Sequence, residues 1–219
     1  MNDSLLEPLL SSPMLPEHVE ELNRVLATEH VRRRKFYEEI TEARKWEFIN
    51  GQVIMHSPAT NRHNLAVARL FNLLLNWTNH KKLGQATVEK TLCQFPRNDY
   101  EPDIVFFGKT KCALIQPDTL LHPIPDFVVE VLSDSTAAND RGVKLTDYEA
   151  HGVQEYWIVD AEKESVEQYL LEGTRYAKRF HTTGQISSQA VAGFEISVRA
   201  IFDDATNLSE LRRMLDASR

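Results

Sequence analysis

The chain has 219 residues, 42% of them hydrophobic and 26% charged, and a net charge of −7. This is ample for one cored domain, excludes wholesale disorder, and argues against tight non-specific nucleic-acid binding. The two cysteines, Cys93 and Cys112, form no CxxC and no zinc-spaced set with histidine, and no apolar run spans a bilayer, so a reducing cytoplasm fits best.

The acidity gathers at the ends: residues 1–28 carry −4 and 203–219 carry −1, leaving −2 for 29–202. The chain divides accordingly into an N-terminal arm over 1–28, a single domain over 29–202 and a helical tail over 203–219. Residues 1–16, with three prolines, read as an arm that could dock through Leu5, Leu6, Leu9 and Leu10. Helical character runs over 17–43 and includes Arg32-Arg33-Arg34-Lys35, either a solvated helix face or a phosphate-contacting patch. Residues 44–56 read as a β-hairpin turning at Asn50-Gly51.

Residues 60–82 show helical periodicity through Leu65, Val67, Leu70, Leu73, Leu74 and Trp77. Thr60 or Asn61 could cap the start, and Gly84 follows the end. Strand-like runs come next, over 86–95, 103–107 and 126–132, the last two starting beside Pro102 and Pro125. A helix is predicted over 139–151, a buried strand over 155–160, and a hairpin over 164–181 turning at Glu172-Gly173. An edge strand over 192–202 and a terminal helix over 207–217 complete the pattern. The central order is helix, strand, strand, strand, helix, strand, which a mixed α/β sheet flanked by helices would bury.

Two acids stand out in this frame. Asp103 opens one apolar strand, and Glu130 lies inside another among Val128, Val129, Val131 and Leu132. A buried carboxylate is costly unless it is paired or binds a cation. If the two strands are neighbours the acids can converge, and hard oxygen ligands suit Mg²⁺ or Mn²⁺. The plainer readings are a salt bridge from Glu130 to Lys144 or Arg141, and a strand-start role for Asp103. Lys144, in the following helix, could reach back to orient water or stabilise charge, or could be an exposed helix lysine. Arg141 could instead cap the helix or hold Glu130.

Pro102-Asp103 followed by Glu130-Val131-Leu132 resembles the PD-(D/E)XK superfamily, the restriction-endonuclease-like fold. More specifically, the chain resembles the bacterial Uma-two endonuclease family, formerly a domain of unknown function. The matching stretches are Trp46 to Gly51, Ser57-Pro58 with His63-Asn64, and Pro102 to Val105. They continue through Pro125 to Ser133, Asp140 to Leu145, Tyr148, and Gly152 to Asp160, covering roughly residues 30–185. The resemblance implies an αβββαβ core with an N-terminal helix and hairpin and C-terminal β additions. It implies a nuclease-like domain in which Asp103 and Glu130 bind metal, with the Val131 backbone carbonyl as an extra ligand.

The superfamily places lysine two residues after the glutamate, where this chain has Leu132; Lys144 fits a migrated version of that role. Glu47 could approach the metal or a basic partner, and His63 could line the cleft. The expected activity is Mg²⁺- or Mn²⁺-dependent hydrolysis of DNA phosphodiesters, with weak or transient DNA binding. The alternatives are a catalytically inactive nuclease-fold module acting in DNA-associated or protein–protein binding, and an unrelated α/β protein with a buried ion pair. Homodimerisation would cover edge strands and the N-terminal segment.

Overall fold

The computed structural model describes residues 3–41 and 44–216. Helix α1 (Asp3–Leu10) leads into α2 (Leu15–Glu39), whose first turn accommodates Pro16 because the amide that proline lacks has no intrahelical partner there. The N-terminal arm is therefore helical. Leu6 and Leu10 are exposed rather than docked, and the Leu5 side chain lies outside the described residues. The predicted 17–43 helix starts earlier and stops at Glu39, and positions 42 and 43 lie outside the described residues. Strands β1 (Trp46–Ile49) and β2 (Gln52–Met55) form the predicted hairpin. Asn50 and Gly51, at φ 48° and 77°, supply the two left-handed residues that a type I′ turn demands.

Helix α3 (Asn61–Lys81) is capped by Thr60, whose hydroxyl accepts the His63 amide at 3.3 Å. It buries Ala66, Val67, Leu70, Leu73 and Leu74 on one stripe. The helix ends on Lys82 in the left-handed conformation, with Gly84 following as expected. Gly84 opens β3 (Gly84–Val88), where a Cβ would collide with the Phe107 carbonyl oxygen of the neighbouring strand. The predicted 86–95 strand is split. Glu89 and Lys90 both take left-handed backbone, which breaks the pleat, and β4 (Cys93–Gln94) pairs elsewhere with β5 (Asp99–Tyr100).

Strand β6 (Ile104–Gly108), the single turn α4 (Lys109–Cys112) and β7 (Phe127–Val131) follow. The predicted 139–151 helix is three pieces: α5 (Ala137–Asn139), a π-helical turn Asp140–Lys144, and α6 (Leu145–Ala150). Then come β8 (Glu155–Asp160), the hairpin of β9 (Ser165–Glu172) and β10 (Arg175–His181), and the small pair β11 (Gln185–Ser187) and β12 (Glu195–Ser197). The edge strand expected over 192–202 is only three residues long, because Val198–Ile201 turns into a 3₁₀ helix before α7 (Asp204–Asp216).

The main sheet has six strands in the order β10-β9-β8-β7-β6-β3. Only β7 and β8 are parallel; the π-turn helix crosses between them, as parallel neighbours require. The fold is thus a mixed α/β sheet with the helix–strand order read from the sequence. Pleating divides its two faces. Ile104, Phe106, Phe127, Val129, Val131, Trp157 and Val159 pack against α3 and the C-terminal elements. Val105, Phe107, Val128, Tyr156 and Ile158 pack with Phe95, Tyr100 and Tyr148 on the other face.

A second sheet, β2-β1-β5-β4, is locked to α2. Arg33 forks onto the two Asp99 oxygens at 2.6 and 2.7 Å and donates to the Phe95 and Asn98 carbonyls. That arginine is a structural clamp, neither solvated face nor phosphate contact. Both cysteines are free thiols, and no described helix is long and apolar enough to cross a membrane.

Candidate active site

Strand pairing brings the two predicted acids together. The β6–β7 ladder sets Ile104 opposite Val129, and the next positions along it are Asp103 and Glu130. Alternation puts both on the face of Val105 and Val128. The Val131 amide, on the same strand as Glu130, donates to Asp103 Oδ2 at 2.7 Å and so fixes that carboxylate at the head of β6. Asp103, Glu130 and Val131 all line one cleft of about 660 Å³. Its wall also includes Lys45, His56, His63, Glu89, Ser133 and Thr136.

His63 stands in the first turn of α3, held there by the Thr60 cap. Its Nε2 lies 3.6 Å from Asp103 Oδ2, while Nδ1 is buried with no hydrogen-bond partner among the described residues. Burial works against a charged imidazole, but Asp103 outweighs it and raises the His63 pKa. Burial would likewise raise the Asp103 carboxyl. The contacts to His63 and Lys45 more than offset it and hold the group well below the usual carboxylate range.

Lys144 is placed differently. It leaves the π-helical turn, only 1% of its side chain is exposed, and its ammonium is enclosed by acids. Nζ lies 2.9 Å from Glu130 Oε1, 3.0 Å from Glu47 Oε1 and 3.2 Å from Asp140 Oδ1. The lysine does not line the cleft; it backs Glu130, which does. Glu47 is fully buried, accepts the Glu101 amide at 3.0 Å, pairs with His56 at 2.9 Å, and is likewise absent from the cleft wall. Arg141 holds Glu167 at 2.7 Å rather than Glu130, a correction to one reading of the sequence, because the helix turns it toward β9.

Two cleft residues escaped the sequence reading. Lys45, just before β1, places Nζ 2.5 Å from Asp103 Oδ1 and 3.2 Å from Glu89 Oε2. Strand alternation from Glu47 could have pointed to Lys45. Glu89 is presented by a left-handed backbone in a charged, glycine-free turn that carries no sequence signal. Burial lowers the Lys45 pKa, but Asp103, Glu130 and Glu89 outweigh it and raise it well above the ordinary lysine range.

The donor set fits a hard divalent cation. Single ligand atoms of His63, Glu89 and Asp103 all lie within 4.8 Å of one another. Around them, among the described residues, Glu47, Glu89, Asp103, Glu130 and Asp140 share the two ammoniums of Lys45 and Lys144 and the imidazoles of His56 and His63. This crowding of acids also bears on Glu130. Burial is the largest influence and Lys144 opposes it, but with Asp140, Asp103 and Glu47 nearby its carboxyl is pushed well above the usual range. An added cation would relieve this repulsion.

Comparison with known proteins shows the family and the fold. The Uma2 family, described as "Putative restriction endonuclease", matches residues 34–199. A crystal structure from Anabaena variabilis, described as "a putative nuclease belonging to DUF820", superposes with a TM-score of 0.66 at 16% identity, covering 80% of this chain and 96% of that one. At that identity the likeness shows a shared fold. No curated protein matches the chain.

Proposed function

The chain belongs to the Uma2 family, and from that premise we propose that it is a divalent-metal-dependent endonuclease hydrolysing DNA phosphodiesters in the Asp103–Glu130 cleft. The observation that carries this reading is that Asp103, Glu130 and Glu89 line one accessible cavity together with His63, and that ligand atoms of His63, Glu89 and Asp103 cluster there within 4.8 Å.

Asp103 and Glu130 would hold Mg²⁺ or Mn²⁺, with the Val131 carbonyl, His63 and Glu89 completing the donor set. A bound divalent cation supplies Lewis-acid polarisation of the scissile phosphate and a more acidic nucleophilic water. The protein's own residues do the positioning. The Val131 amide fixes one Asp103 oxygen, which leaves the carboxylate a single orientation. Lys144 acts as a positioning residue through its 2.9 Å contact with Glu130 and keeps that acid turned to the cleft wall. Glu47 and Asp140 hold Lys144 in turn. His63, near Asp103 and open to the cleft, is placed to ligate the cation or to accept a proton from the attacking water.

The test is cleavage of supercoiled plasmid with Mg²⁺ by wild type, Asp103→Asn and Glu130→Gln. Wild type should nick or linearise the plasmid and both variants should lose at least 100-fold, as for removal of a major electrostatic contributor. Undiminished cleavage by both folded variants overturns the reading.

Two observations favour a second reading, a nuclease fold used only for binding. Lys144 is enclosed and cannot reach a substrate phosphate, and Leu132 stands at the superfamily's usual lysine position. On that reading the folded protein binds DNA or another partner but shows no Mn²⁺ heat in calorimetry.

A further inference from the structure

Lys45 is the lysine that reaches the cleft. Its side chain is 18% exposed, against 1% for Lys144, and it forms part of the cavity wall. Its ammonium bridges Asp103 Oδ1 at 2.5 Å and Glu89 Oε2 at 3.2 Å. These two acids belong, with His63, to the group whose ligand atoms cluster within 4.8 Å. The lysine nitrogen therefore rests on two of the three residues that would hold a divalent cation, Asp103 and Glu89.

The two cannot share the position. Mg²⁺ binds carboxylate oxygen at about 2.0–2.1 Å and requires near-octahedral geometry. An ammonium on the same oxygen would be crowded against the ion and repelled by it. Lysine is suited to leaving, because its four-carbon stem is flexible and its charge is a compact point with no fixed fork geometry. The adjoining cavity of about 660 Å³ gives the displaced head room to move. Once clear of Asp103 and Glu89, the ammonium would stand in the open cleft beside the acids, where an incoming phosphate needs a counter-charge that enclosed Lys144 cannot supply.

We propose that Lys45 is a resident counter-cation, displaced from Asp103 and Glu89 by the divalent ion and thereby freed to hold a substrate phosphate. Without metal, the lysine offsets part of the charge of Asp103 and Glu89 and keeps them ordered; with metal, the same charge is handed to the substrate. The proposal rests on reading the cleft as a divalent-cation site.

The test is calorimetric titration of the full chain with Mn²⁺, comparing wild type with Lys45→Met, which keeps the stem and removes the charge. Lys45→Met should bind Mn²⁺ at least ten-fold more tightly than wild type, because the ion no longer has to expel a competitor. Equal or weaker binding by the variant, with binding by wild type intact, overturns the exchange and leaves the metal site standing. Absence of Mn²⁺ binding in both proteins removes the exchange and the metal reading together.

A second measurement uses wild type alone and covers the case in which the variant does not fold. Lysine acetylation, followed by peptide mass spectrometry, should label Lys45 several-fold faster with Mn²⁺ than with chelator, while enclosed Lys144 stays unlabelled in both. Equal or slower labelling of Lys45 with Mn²⁺ overturns the proposal.

Discussion

The Lys144 ammonium lies 2.9 Å from Glu130 Oε1, behind the cleft wall rather than inside the cleft. It is the only lysine within salt-bridge reach of Glu47, Glu130 and Asp140 among the described residues. Removing one member of a buried ion cluster strands the other charges and typically costs about 3–5 kcal/mol. Lys144→Met should therefore lose about that much stability in urea denaturation. A loss under about 1 kcal/mol would mean that the lysine is not holding the acids together.

Glu155 centres another buried carboxylate network, and it is structural. Its oxygens accept the Trp157 indole N–H at 2.5 Å, Gln168 Nε2 at 2.7 Å, the Ser188 hydroxyl at 2.5 Å, and the Gln189 and Ala190 amides at 2.8 and 2.9 Å. It ties β8 to the loop before β12. Glu155→Ala should cost at least about 3 kcal/mol, since several buried donors lose their acceptor together. It should also speed hydrogen exchange at the Gln189 and Ala190 amides. Unchanged exchange there would show that the loop is held by other contacts.

Glu167 should shape the acid limb of stability. Burial raises its pKa, but hydrogen bonds from Lys178, Arg141 and Tyr169 outweigh this and bring it down to about 2, below the ordinary glutamate value of 4.5. The folded-state pKa is depressed, so the stabilisation is complete above about pH 4.5 and is lost as pH falls toward about 2. Denaturation curves from pH 2.5 to 6 should show wild type losing stability more steeply than Glu167→Gln, which has no such proton to take up. Parallel curves would contradict the assignment.

Much of the fold could be read in advance because it follows period and punctuation. The stripe through Leu70, Leu73 and Leu74 marks α3, Asn50-Gly51 fixes the hairpin, and apolar β6 and β7 are short and β-prone. What the sequence hid is conformational. The paired left-handed residues Glu89 and Lys90 split a predicted strand without any glycine, and the π-helical turn at Asp140–Lys144 leaves no mark in hydrophobic spacing.

The candidate site was legible in part. An acid inside the apolar run of β7 is costly enough to flag Glu130, and Pro102-Asp103 gave its partner. Yet Glu155 also stands at the start of an apolar strand and serves a purely structural network. Only strand register separates the two cases. Register also decided which lysine meets the cleft, since Lys45 and Lys144 are equally plausible as letters and differ only in burial.

Anomalous diffraction from crystals soaked in Mn²⁺ reads the metal site directly. One strong peak is expected in the cleft, within about 2.0–2.4 Å of carboxylate oxygens from both Asp103 and Glu130. A fully soaked crystal with no peak, or with a peak that touches neither acid, would contradict it.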